Sequence, residues 1–159
     1  MVATPMSKSL FLAAQFVARL GLSILEAGIL IAFCYFYFDV TISGSIIAFL
    51  LVFIAGNIAF TGIAIFTSSR TSETRVGNGL VNVVVMPMMI LSGIFFSYHN
   101  FPDWAVKIIE MLPLTLMADN TRSVFIEGAG LEQVLIPISI LTLIGLAFSA
   151  IGLRIYKWY

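Results

Sequence analysis

Four stretches of this chain are each long and apolar enough to cross a lipid bilayer, and everything else must be fitted around them. They cover about residues 16–38, 45–68, 79–97 and 133–155. A helix needs about 20 predominantly apolar residues to cross the hydrocarbon core. None of the four alternates polar and apolar residues as a barrel strand would. Within lipid a helix satisfies its own backbone N–H and C=O groups, so unbroken apolar runs of this length imply helices. The expectation is an all-α membrane protein with four transmembrane helices. Composition agrees: 60% of the 159 residues are hydrophobic and 10% are charged, against about 25% charged in soluble domains. Formal net charge is zero, which argues against a nucleic-acid partner. Cys34 is the single cysteine, so no internal disulfide can form. The opening "MVATPMSKSLF" lacks the basic, apolar and small-residue order of a secretory signal.

The basic residues set an orientation. Lys8 and Arg19 precede or open the first span, Arg70 and Arg75 separate the second from the third, and Arg154 and Lys157 follow the fourth. Six of the eight Lys and Arg residues thus fall on one side, which the positive-inside rule makes cytoplasmic. The expected protein is a multi-pass protein of the cell membrane with both termini cytoplasmic, as an even number of spans also requires. Tyr156, Trp158 and Tyr159 suit an aromatic belt at the inner interface.

Between the third and fourth spans lies "LSGIFFSYHNFPDWAVKIIEMLPL" (residues 91–114), too apolar for an ordinary loop and too interrupted for a span. Trp104, Ile108, Met111 and Leu112 recur at helical spacing beside a polar stripe of Asp103, Lys107 and Glu110. Pro102 suits a first helical turn, and Pro113 ends that helix or forces a turn. A second short helix is expected over about 115–126, with Gly128 and Gly130 as stop signals. Asp119 and Arg122, three apart, can pair on one face. The two helices, about 101–127 in all, are too short to cross. They form an outer hairpin that is either interfacial, capping the bundle, or re-entrant, closing a passage; re-entrant backbone is tolerated only where protein or a water-filled cavity covers it.

Here the sequence resembles a known family. Leu91-Ser92-Gly93-Ile94-Phe95-Phe96, then Phe101-Pro102 with Trp104, then Leu112-Pro113-Leu114-Thr115, then Asp119 and Arg122, and Gly128 follow in the order found near the C-terminus of type-2 ATP-binding-cassette (ABC-2) exporter permeases. "ATPMSKSLFLAAQFVARL" is similar to the family's cytoplasmic segment before the third span. The resemblance covers nearly the whole chain. It implies a single ABC-2 type transmembrane domain carrying the last four of six spans per half-transporter. It also implies an ATPase-coupling segment around residues 4–12, with Thr4, Pro5, Ser7 and Lys8, and an outer gate of Phe101, Pro102, Trp104, Leu112, Pro113, Asp119 and Arg122. The implied partners are a separate ATPase subunit, a second permease half in a homo- or heterodimer, and the lipid bilayer. No cofactor would bind the chain directly; ATP would be used by the partner.

Other residues admit a functional and a structural reading. Glu26 is the only acid well inside a span and could line a translocation path or sit protonated in a structural role. Its spacing from Arg19, about 10 Å along the axis, forbids a direct pair. Asn57 and Thr61 could contact substrate or hydrogen-bond across helices. Pro87 is expected to kink the third span, and the methionines around it suit an adaptable apolar wall or simple core filling. The small-residue stripes Ala55, Ala59, Gly62 and Gly145, Ser149, Gly152 read as packing surfaces. His99 stands without a second ligand, so a metal site is not expected. No G-x-x-x-x-G-K-[ST] phosphate loop and no convergent catalytic set occurs, so the chain is expected not to be an enzyme. The function read from the sequence is the permease subunit of an ATP-driven exporter working by alternating access. The alternatives are a non-transporting scaffold or biogenesis subunit and, further off, a small proton-coupled transporter using Glu26.

Overall fold

The computed structural model describes residues 8–39, 43–69 and 73–155, and every regular element among them is helical. The chain divides into two compact units, residues 1–41 and 42–159. The first contains α1 (Lys8–Phe38), 31 residues long. Among the described residues three helices are long and apolar enough to cross a membrane: Phe16–Phe38 within α1, Ile46–Thr67 within α2, and α6. At the end of α1, Phe33 stacks on Tyr37 at 5.4 Å. Asp39, at φ 51°, ends the helix in the left-handed conformation that Asp tolerates better than bulkier residues.

The second unit holds α2 (Ile46–Ser68), α3 (Thr74–Leu91), a 3-10 turn at Tyr98–Asn100, α4 (Asp103–Ile109), α5 (Pro113–Ile126) and α6 (Leu131–Ile155). Its spine is the pair α2 and α6. The two small-residue stripes meet: a Cβ on Gly145 would lie 2.5 Å from the Ile58 carbonyl oxygen, and one on Gly152 2.9 Å from the Phe66 Cα. Gly62 lies directly against Gly145. Backbones this close pack by dispersion, which is what holds helices together where lipid removes the hydrophobic drive. Ala55, Ala59 and Leu141 form the buried centre of this seam, and Phe66 meets Phe148 edge-on at 5.2 Å. Residue numbers rise together along the seam, so α2 and α6 run parallel. The chain between them must therefore return the full length of α2.

α3 and α5 make that return. α3 has 18 residues, roughly 27 Å at 1.5 Å per residue, close to the core thickness. It differs from the expected 79–97 span at both ends, beginning at Thr74 and stopping at Leu91. The stop is local chemistry. Ser92 bonds back through its N–H to the Met88 carbonyl (2.8 Å) and through its hydroxyl to the Met89 carbonyl (3.0 Å). Gly93 then takes φ +79°, with the Tyr98 ring so near that a Cβ would meet it at 2.8 Å. Only glycine combines that φ with that approach. Pro87 does lie inside α3, leaving the Val83 carbonyl without its helical donor.

The hairpin's two helices are present with shifted ends. Pro102 is the N-cap of α4. Pro113 starts α5 at its first position, where its missing N–H costs nothing, so α5 begins two residues before the expected 115. Gly128 has the stop conformation, φ +72°; Gly130 does not. α5 runs antiparallel to α2. At one end the N–H groups of Ser43 and Gly44 donate to the carbonyls of Phe125 (3.2 Å) and Val124 (2.9 Å), supplying donors that the end of α5 lacks. Further along, Met117 of α5 covers Gly56 of α2.

Candidate functional site

The segment from Tyr98 through α5 carries most of the residues singled out by the sequence resemblance. Tyr98 is the organising side chain. It is 6% exposed, its ring lies over Gly93, and its hydroxyl donates to Asp119 Oδ2 at 2.6 Å. This bond joins the segment leaving α3 to the middle of α5. Burial first, and then the Asp119 carboxylate beside it, push the Tyr98 hydroxyl up to about 12. The phenol therefore keeps its proton, and remains a donor, through the whole physiological range. Asp119 also faces Arg122 at 3.7 Å, as the three-residue spacing predicts. With Arg122 51% exposed, that pair contributes little by itself.

The remaining residues expected to form a gate divide. Pro113 is buried and Leu112, the N-cap of α5, is half-buried. Phe101 and Pro102 are exposed, and Trp104 is 70% exposed. Ile109 is the buried side chain of α4, while Ile108 and Met111 are largely exposed. Thr115, third in α5, is fully buried, and its hydroxyl has no hydrogen-bond partner among the described residues.

The other candidates are not gathered into the hairpin. Thr4, Pro5 and Ser7 lie outside the described residues. Lys8 is the first residue of α1, and α1 continues from there through the first span without a break. Glu26 is exposed on α1, in the first unit. Asn57 and Thr61 are half-buried in α2. Asn57 donates through Nδ2 to the Phe53 carbonyl of its own helix at 2.9 Å, a bond within α2 rather than across helices. His99 is exposed beside Tyr98, with ring centroids 4.5 Å apart, and no group of metal-ligating side chains occurs among the described residues.

Sequence reasoning missed two features. Tyr98 and Asp119 lie 21 residues apart, and no local period connects them; the signal was the Ser-Gly pair that forces the turn bringing Tyr98 back. The second feature is a half-open cavity of about 310 Å³ between α2, α3, α6 and the α4–α5 corner. It is walled by apolar side chains such as Met88, Met111 and Phe148, with Thr67 as its one polar residue.

The sequence profile described as "ABC-2 type transporter" matches residues 1–126, from the start of the chain through α5. A relative from Escherichia coli K12, "Probable multidrug ABC transporter permease YbhR", is 24% identical over 109 residues, covering 69% of this chain and 30% of the relative. "ABC transporter G family member 20" of Dictyostelium discoideum is 26% identical over 122 residues, covering 74% of this chain and 16% of the relative. The chain thus spans less than a third of the length of these curated relatives. No solved structure matches it.

Proposed function

Because the chain belongs to the ABC-2 type transporter family, a family of membrane transport components, we propose that it forms the permease part of an ATP-driven exporter. A separate ATPase subunit binds on the cytoplasmic side through residues 4–12, around Thr4, Pro5, Ser7 and Lys8, and both termini face that side. Two permease halves enclose the path. Closure of the ATPase pair shifts the population between two helix packings, with no bond-making by this chain. One relative's name includes "multidrug"; amphipathic cargo would suit the weakly polar spans here, with Glu26, Asn57 and Thr61 as candidate path residues.

The observation that carries the reading is the hairpin's attachment. α5 lies along α2, tied by backbone bonds at one end and by Tyr98–Asp119 toward its middle. α4, in contrast, keeps only Ile109 buried. A re-entrant element with one firm arm and one loosely held arm suits an outer gate. The test is to tag the C-terminus at the native locus, extract in mild detergent and weigh the bait and whatever co-purifies. A phosphate-loop ATPase in the complex is the expected result. Its absence sinks the exporter assignment and brings the scaffold reading forward.

A further inference from the structure

The cavity between α2, α3, α6 and the hairpin corner has a lining that dictates its occupant. Ile63, Phe66, Val84 and Ile144 offer only carbon, and Thr67 offers no free donor. The Thr67 hydroxyl donates to the Ile63 carbonyl at 2.9 Å and the Ala64 carbonyl at 3.1 Å within its own helix. Nothing in the lining can orient a charged or strongly polar group, and an apolar space of this kind stays dry. The α2 and α6 residues of the wall belong to helices long and apolar enough to cross a membrane. Val83, Met86, Leu143 and Leu146, sequence neighbours of the lining residues, are exposed, apolar surface that suits hydrocarbon in a membrane. About 310 Å³ falls within the range of about 300–1,000 Å³ seen for ligand sites. A slim, flexible hydrocarbon chain matches both the size and the apolar lining of the space. Left empty, the lining would forfeit its dispersion contacts on that side, and the surrounding acyl chains are present at solvent concentration.

We infer that this cavity holds one acyl chain of a membrane lipid, lodged between α3 and the α2–α6 seam and touching Met111 and Pro113 at the hairpin corner. The inference needs only the membrane setting of these helices and stands apart from the ATP-driven mechanism. The protein, with whatever co-purifies, would be placed in phosphatidylcholine nanodiscs containing a phosphatidylcholine with a diazirine in one acyl chain. After illumination, attachment sites would be mapped by mass spectrometry. Labelling at Met88 and Phe148 is expected to exceed that at Ile136, an exposed site elsewhere on α6, by several-fold. Val84→Phe and, separately, Ile144→Phe should each fill the space and cut labelling at Met88 and Phe148 several-fold while sparing Ile136. Lining labels no stronger than Ile136 in the parent protein would overturn the inference whether or not either variant folds. So would labels that both folded variants leave unchanged, or a Met88→Cys variant that links to a second copy instead of taking up lipid label.

Discussion

The α2–α6 seam and the α4–α5 hairpin use opposite means of holding helices. In the seam, Ala55, Ala59, Gly62, Gly145 and Gly152 bring backbone against backbone. In the hairpin, bulky side chains dominate, several of them outward-facing, and a few polar bonds fix the position. Backbone contact leaves no atom that can swing aside, so the seam tolerates one geometry. Side-chain contact and isolated hydrogen bonds can exchange for others at modest cost. The unit therefore joins a backbone-packed spine to a side-chain-held attachment, the contrast on which the proposed gate rests.

The sharpest way to break this contrast is to enlarge the seam. Gly145→Leu would push a branched side chain against the Ile58 carbonyl and the Ala59 backbone. Overpacking costs about 1–3 kcal/mol where side chains can adjust; here the obstacle is backbone, so the upper end or beyond is expected. Thermal unfolding in detergent should show a large loss of stability. A variant as stable as the parent would mean that the seam is not close-packed.

Next in size is Gly93→Ala. It adds a Cβ at positive φ and drives it toward the Tyr98 ring. Backbone strain of this kind costs about 1–3 kcal/mol, and the structure can shed it by releasing Tyr98. Hydrogen exchange should accelerate over residues 92–120 and stay unchanged in α2 and α6. Equal acceleration in both regions would erase the distinction between spine and attachment.

The contrast also explains what the sequence could disclose. The helices were legible because lipid leaves few options for apolar runs such as 45–68, and the seam was legible because small residues recur at helical spacing. The end of α3 was misplaced because apolar residues continue through Phe96 while the backbone turns at Gly93; hydropathy does not report φ. The pairing of Asp119 with Arg122 lies within one helical turn and could be read directly. Its bond to Tyr98 depends on how α5 folds back, a tertiary fact with no periodic signature. The cavity depends on four separated segments and left no trace in the sequence.

Tyr98→Phe isolates the polar tie. A hydrogen bond to a charged acceptor contributes about 1.5–3 kcal/mol, and because the Asp119 side chain is 31% exposed, the lower end is expected. Exchange over α5 should rise while the seam holds. The pH dependence follows from the direction of the shift. The folded hydroxyl titrates at about 12, above the ordinary tyrosine value of about 10, so its contribution is complete below about 10 and is lost as pH rises through about 12. Raising pH across that window should loosen the parent hairpin and leave Tyr98→Phe, already loosened, with a smaller change. Identical alkaline responses would remove Tyr98 from the tie.

Trp104→Ala should have the smallest effect on stability and is the most informative about function. The side chain is exposed, and substitutions at such sites usually stay within about 0.5 kcal/mol, so expression and unfolding temperature should match the parent. If α4 is the mobile arm of an outer gate, its exposed aromatic face meets lipid or the facing half of the gate, and losing it changes how often the arm closes. Transport rate, or passive leak through the assembled complex, should then change while the amount of folded protein does not. Pro113→Ala, at the buried corner of the hairpin, supplies the paired comparison: it loosens the start of α5 and should shift leak in the same assay. If both variants express and transport like the parent, the hairpin is packing rather than gate. The difference between spine and attachment would then concern stability alone.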